Sequence, residues 1–254
     1  MDVLYVIGTG SRHDDAEFRW SLRSLEKHAK NVFGDVNVVP KVVGRAPDWF
    51  SGPVLGVEDL TCRKQYNIAH KVVEACRAGL VEGEFLLSAD DHFLTCDIDF
   101  VRAPQYWKNP ILKTYDGKGN NFHKGLGLAR DVLLLNGLPA MDFSQHFNTY
   151  MHSADAERVV ELMERASLME NGEVGANLWA VMGNLWLARN AAAERPRPLI
   201  WRRDLKYPAD LKDTLMEGDA ERHLGFSISD DAFAEPGFVG WMNERYGEAS
   251  RWEK

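Results

Sequence analysis

Short apolar runs alternate with stretches of helical spacing, and before residue 95 they predict strand, helix, strand, helix, strand. Asp2–Ile7 is apolar after its first position and reads as a strand ending in the loop Gly8-Thr9-Gly10-Ser11-Arg12. From Glu17 to about Ala29, Phe18, Leu22 and Leu25 share one stripe at helical period, and Asp14 or Asp15 is placed to cap it. The Val-rich stretch Asp35–Val43 predicts a second strand, broken at Gly44 and Pro47. Thr61 stands at the start of a helix to about Ala78, with Ala69, Val72, Val73 and Cys76 as its buried stripe. A third strand, Phe85-Leu86-Leu87-Ser88, stops at the adjacent carboxylates Asp90 and Asp91, before a second apolar pair, Phe93-Leu94.

The second half reads as more helical. Val101–Gly119 is punctuated by Pro and Gly and predicts a loop or lid, and a helix from about Lys124 to Asn136 is ended by Gly137 and Pro139. Asp142–His152 alternates polar and apolar residues, a strand pattern. Asp155–Met169 is amphipathic; Glu173–Arg189 is strongly apolar, a core helix in which Gly175 and Gly183 allow close packing. Asp230-Asp231 is expected to cap a last helix around Pro236–Tyr246, and is the weaker acidic pair because no long apolar strand precedes it. Strands alternating with helices place the chain in the α/β class, with a Rossmann-like, mostly parallel sheet flanked by helices.

Composition narrows the function. The chain has 254 residues, 45% of them hydrophobic, enough for one large domain. Its formal charge of -8 counts against a general grip on nucleic acid. Cys62, Cys76 and Cys96 have no metal-ligand spacing and form no even disulfide set, as in a reducing compartment. No apolar run is long enough for a signal peptide or a membrane span, so a cytoplasmic protein is expected.

The chemistry gathers at strand ends. A buried strand that delivers Asp90 and Asp91 to the carboxyl edge of a sheet suits a hard divalent cation, Mg²⁺ or Mn²⁺, carried on a substrate diphosphate; a solvated turn is the plainer alternative. Strand, glycine loop (Gly8 to Arg12) and helix N-terminus form a natural phosphate cradle. Arg19 and Arg23, four apart, share a face near that helix start. Lys64, Asn67 and Lys71, with Arg63 beside them, make a cationic face on the next helix, suited to phosphate or to solvent alike. One basic cluster, Arg195 and Arg197 through Arg202, Arg203 and Lys206 with Trp201 and Tyr207, could meet a phosphorylated acceptor or a nucleic-acid strand.

Two stretches carry a family resemblance. Asp2-Val3-Leu4-Tyr5 with Gly10-Ser11, followed by Phe18-Arg19-Trp20-Ser21-Leu22-Arg23-Ser24-Leu25, resembles the first conserved region of Stealth proteins. Phe85–Leu94 resembles their second region, with paired aspartates before Phe-Leu. Stealth proteins are sugar-phosphate transferases of capsule synthesis and lysosomal enzyme tagging, similar to GT-A glycosyltransferases. The compact chain fits small bacterial and phage relatives. Ile7 and Thr9 stand where the family has Trp and an acidic or amide residue, so plain sugar transfer is expected ahead of sugar-phosphate transfer.

The resemblance implies one GT-A-like domain over residues 1–254, with a nucleotide-binding half (1–100) and an acceptor half (101–254). The donor would be a nucleotide sugar, a UDP-sugar by preference, held by Gly8, Thr9, Gly10, Ser11, Arg12, Arg19, Arg23, Lys64 and Asp90. Asp90 and Asp91 would bind Mn²⁺ or Mg²⁺, and Asp91 would be catalytic. His146 would be the acceptor base or a further metal ligand. Three alternatives stand beside this: a Stealth-type sugar-phosphotransferase, a phage-type DNA glycosyltransferase acting on hydroxymethylated bases, and a non-catalytic binding module.

Overall fold

β1 (Asp2–Ile7) lies between β2 (Val39–Gly44) and β4 (Glu84–Ser88) and is parallel to both. A short β3 (Val54–Leu55) extends the parallel sheet beyond β2, and β7 (Thr149–His152) adds an antiparallel edge beside β4, giving the order β3-β2-β1-β4-β7. The computed structural model describes residues 1–9, 11–29, 37–60, 64–99, 106–107, 120–143, 148–169, 175–190, 197–198, 202–205 and 224–254. The chain is α/β, with a mostly parallel, Rossmann-like sheet flanked by helices. Among the described residues no helix is long and apolar enough to cross a membrane.

The two-residue period of a strand explains why β1 is apolar almost throughout. Val3, Tyr5 and Ile7 face α1 (Ala16–His28) and pack with its Phe18, Leu22 and Leu25. Leu4 faces the other way, into a larger core with α2 (Lys64–Arg77), α3 (Asn121–Leu135), α4 (Ala156–Met169) and α5 (Leu178–Arg189). β4 divides likewise: Leu86 to the α1 side, Phe85 and Leu87 to the other. A smaller sheet of β5 (His92–Leu94), β10 (Gly225–Ile228) and β9 (Arg202–Leu205) builds a third core with α6 (Phe238–Arg245) and Trp20. Two-residue strands β6 (Tyr106–Trp107) and β8 (Arg197–Pro198) pair separately.

Local chemistry moved several expected boundaries. α3 starts at Asn121, three residues early, because the Asn120 side chain accepts from the His123 N–H at 3.1 Å. α5 starts only at Leu178, where Asn177 caps it by accepting from Ala180 N–H at 3.0 Å. The strand expected over Asp142–His152 is a strand only at Thr149–His152; residues 144–147, with His146, lie outside the described residues. Upstream, buried Asn184 clamps Met141 by accepting its N–H and donating to its carbonyl, both at 2.8 Å. Asp230-Asp231 does not cap the last helix: it opens a 3-10 turn, Asp230–Ala234, and the cap position of α6 is Gly237 at φ 90°.

Gly183 does allow close packing. A β-carbon there would lie 2.3 Å from the Phe143 ring. Gly183→Ala is therefore expected to destabilise the fold by about 1–3 kcal/mol, the usual cost of overpacking, read from urea denaturation.

The segment Ser250–Lys254 returns to the loop after β2. Ser51 N–H donates to Trp252 O, and Lys254 N–H to Trp49 O, each at 2.8 Å. Between them Glu253, its side chain 4% exposed, accepts from Arg19 Nη1 at 3.0 Å and from Arg23 Nε and Nη2 at 2.8 and 2.7 Å. Burial alone would raise the Glu253 pKa; hydrogen bonds from Arg23, Ser250 and Arg19 outweigh it and hold the carboxyl at about 2, against an ordinary 4.5. A lowered folded-state pKa gives stability that is present above pH 4.5 and lost as pH falls towards 2. Glu253→Gln is expected to cost about 3 kcal/mol at pH 7, as for a broken buried pair. Urea midpoints of variant and wild type should converge as the pH falls through that window.

Candidate functional site

Strand order sets where the site falls. The chain runs from β1 to β2 on one side and then crosses to β4 on the other, so a crevice opens beyond the carboxyl ends of β1 and β4. A cleft of about 970 Å³ lies there. Gly8 and Thr9 enter it from the end of β1, Asp90 and Asp91 from the end of β4, and Lys64, Asn67 and Lys71 from the face of α2.

Asp90 and Asp91 are the middle residues of a turn closed by His92 N–H donating to Ala89 O at 3.3 Å. The turn is not a freely solvated one. Burial pushes the Asp90 carboxyl up to about 6, with Glu17 adding to the rise and Lys64 opposing it. Asp91 lies 3.7 Å from the buried His92 ring.

Two serines of α1 hold this turn in place. Ser21 Oγ donates to His92 O at 2.7 Å and lies 3.3 Å from the Tyr5 hydroxyl; Ser24 Oγ accepts from Leu94 N–H at 3.1 Å. Both are buried, so each hydroxyl satisfies backbone that water cannot reach. Ser21→Ala is expected to cost about 1–2 kcal/mol in urea denaturation, since it removes the Ser21 hydrogen bond to the buried His92 carbonyl.

The glycine loop departs from a simple phosphate cradle. Asp14 and Asp15 both take left-handed backbone, φ 54°. Asp15 occupies the cap position of α1 without making a side-chain cap bond; instead Ser11 Oγ accepts from the Asp15 N–H at 3.0 Å. The Asp15 carboxylate is thereby left to line the cleft, with Glu17.

A second acidic pair completes the cleft. β10 runs antiparallel to β5 with Ser227 opposite His92, so the residues after β10 emerge beside those before β5. Asp230 and Asp231 reach the same cleft as Asp90 and Asp91 by this register. Arg12 closes towards them, its Nε 3.8 Å from Asp230, and His13 stacks on Phe233 with ring centres 3.6 Å apart. Among the described residues seven carboxylates line the cleft (Asp15, Glu17, Asp59, Asp90, Asp91, Asp230, Asp231) against three cations (Arg12, Lys64, Lys71). Such an excess favours a cation, or an anion that arrives with one. An adjoining hollow of about 380 Å³ shares Gly8, Thr9 and Ser11 with the cleft and is walled by Arg45, Pro47 and Trp49.

Of the residues expected at the site, Gly8, Thr9, Ser11, Arg12, Lys64, Asp90 and Asp91 come together. Gly10 and His146 lie outside the described residues. Arg19 and Arg23 are not among the lining residues: both are engaged by Glu253, and Arg19 also lies 4.1 Å over the Trp49 ring. Arg202 and Arg203 belong to β9, next to β10; most of the basic cluster around them, including Arg195, Trp201, Lys206 and Tyr207, lies outside the described residues. The sequence did not point to Asp15, Glu17 or Asp59 as cleft residues and made Asp230-Asp231 the weaker acidic pair; the structure brings all five to the cleft. The available signal was the apolar-polar-apolar alternation Phe226-Ser227-Ile228 before that pair.

A divalent cation fits the donor set in part. Among the described residues no group of three His, Cys, Asp or Glu side chains could cage an ion unaided. Two adjacent carboxylates suit a small hard cation that takes its remaining oxygens from phosphate and water. In comparisons with known proteins, no family model and no curated protein matches the chain.

Proposed function

We propose that this chain is a metal-dependent glycosyltransferase of the GT-A type, moving a sugar from a nucleotide-sugar donor to an acceptor hydroxyl. The observation that carries this reading is the convergence of Asp90, Asp91 and the Gly8–Thr9 loop in one carboxylate-rich cleft at the sheet's switch point. The resemblance of Phe85–Leu94 and of α1 to Stealth proteins supports it from the sequence side.

Asp90 and Asp91 would hold Mn²⁺ or Mg²⁺, which when bound would neutralise the donor diphosphate as a leaving group. Lys64 and Arg12 would take outer phosphate oxygens, and Gly8 and Thr9 would let the diphosphate approach the backbone. The adjoining hollow by Arg45 and Trp49 would take the nucleoside, that of a UDP-sugar by preference, an aromatic face being a good platform for a flat base. The acceptor oxygen would attack the anomeric carbon as its bond to the diphosphate breaks. The hydroxyl proton would pass to His146 or to a carboxylate of the Asp230-Asp231 pair, and a nucleoside diphosphate would leave. The carboxylate excess counts against DNA as the acceptor, since a polyanion would be repelled there.

Thermal shift with UDP, with and without Mn²⁺, tests the donor site. At about 100 times its dissociation constant a ligand stabilises by about 2.7 kcal/mol, a readable shift. Wild type should respond to UDP much more strongly when Mn²⁺ is present, and Asp91→Asn should lose most of that gain. An equal shift without metal, or one retained in Asp91→Asn, would overturn the assignment.

A further inference from the structure

Lys71 is the one lysine or arginine among the described residues that is buried, its side chain 4% exposed. It sits on α2 and reaches under the cleft to the ends of two strands. Its Nζ donates to Ile7 O, the last residue of β1, at 3.0 Å. Gly44, the last residue of β2, makes the room. It has φ +108°, and a β-carbon there would lie 3.0 Å from Lys71 Nζ and 2.1 Å from Ile7 O. The ammonium is therefore built into the floor of the cleft, where the chain turns into the Gly8–Thr9 loop.

Its charged partner is held quite differently. Asp59 Oδ1 lies 2.8 Å from Lys71 Nζ, yet its side chain is 40% exposed. It belongs to the loop after β3, in which Gly56 and residues 58–60 are exposed; Leu60 N–H donates to Asn67 of α2 at 3.0 Å and pins the loop there. Asp59 can swing into water once another anion takes its place on the ammonium, while Lys71 cannot leave its burial. A buried ion pair of this kind adds little stability compared with an apolar residue of the same size. An ammonium so placed, with so replaceable a partner, is suited to a ligand anion.

We infer that Lys71 is an anion-binding residue of the cleft, and that Asp59 is a placeholder which a phosphate group of the ligand displaces. The inference deepens the proposed function, on which it rests only for the identity of the anion as a donor phosphate. Displacement serves two ends. Phosphate gains a buried, oriented cation, and the cleft loses one carboxylate from the phosphate's neighbourhood. Asp59 also keeps the ammonium paired when no ligand is present.

Titration calorimetry with inorganic pyrophosphate, in the absence of metal, tests this directly. Asp59→Asn should bind pyrophosphate about tenfold more tightly, the gain expected when a pairing present about nine-tenths of the time is removed. Lys71→Met should lose pyrophosphate binding, and in that background Asp59→Asn should change nothing. Asp231→Asn controls for the loss of one cleft carboxylate and should have a smaller effect than Asp59→Asn. Unchanged or weaker binding by Asp59→Asn would overturn the inference, as would an equal gain in Asp231→Asn. Should Lys71→Met fail to fold, the comparison of Asp59→Asn with Asp231→Asn still decides. UDP with Mn²⁺ separates the two readings. If UDP binds but Asp59→Asn has no effect on pyrophosphate, Lys71 is structural and the donor site stands. If pyrophosphate tightens but UDP with Mn²⁺ never binds, the anion site stands and the glycosyltransferase reading falls.

Discussion

The hydrogen bonds of Ser21 and Ser24 to the strand beyond Asp91 are the constraint on which the site depends. A carboxylate pair at the end of a buried strand is held only if the turn carrying it cannot relax towards water. α1 supplies that hold. One helix fills the core beneath the sheet with Phe18, Leu22 and Leu25, ties the acidic turn with its serines, and anchors Ser250–Lys254 with its arginines. The motif that looked like a nucleotide grip is, in its described contacts, a junction of three parts of the chain. Its arginines are held by Glu253 and its serines by backbone, so each polar residue of Arg19–Ser24 has a structural account.

The second constraint is charge. Carboxylates enter the cleft from β4, from the loop after β1, from the loop after β3 and from the turn after β10. Mutual repulsion and burial together raise Asp90 to about 6. An arrangement that opposes its own ionisation is a common mark of a functional site, because the strain is relieved by what binds there. The described cations are arranged around this. Arg12 is exposed and leans on Asp230, Lys64 favours the ionised form of Asp90, and Lys71 is sealed into the floor with an exposed partner.

Several elements were readable in the sequence because local physics decides them. Asp2–Ile7 was found to the residue, since an apolar run of that length with a glycine loop after it has few other fates. α1 and α4 were found to within about one residue from their apolar stripes, and α2 to within about one residue at its C-terminal end. The errors lie where a single side chain sets a boundary, such as Asn120 and Asn177 at helix starts, or where tertiary packing sets the backbone, as for Phe143 against Gly183. Arg19 and Arg23 show the same limit for chemistry: nothing near them in sequence announces Glu253, 230 residues away from Arg23.

By itself the sequence determined the α/β class, the position of Asp90 and Asp91 at a strand end, and the nearness of the Gly8 loop to a helix start. Each follows from hydrophobic period and turn chemistry, which act over a few residues. Only the tertiary structure decided that Asp230 and Asp231 share the cleft, that Lys71 lies beneath it paired with Asp59, and that Arg19 and Arg23 are engaged by Glu253. Those facts follow from the antiparallel register of β10 on β5, from the opening at Gly44, and from the return of Ser250–Lys254 to α1. Long-range register and burial bring together residues that no local pattern connects.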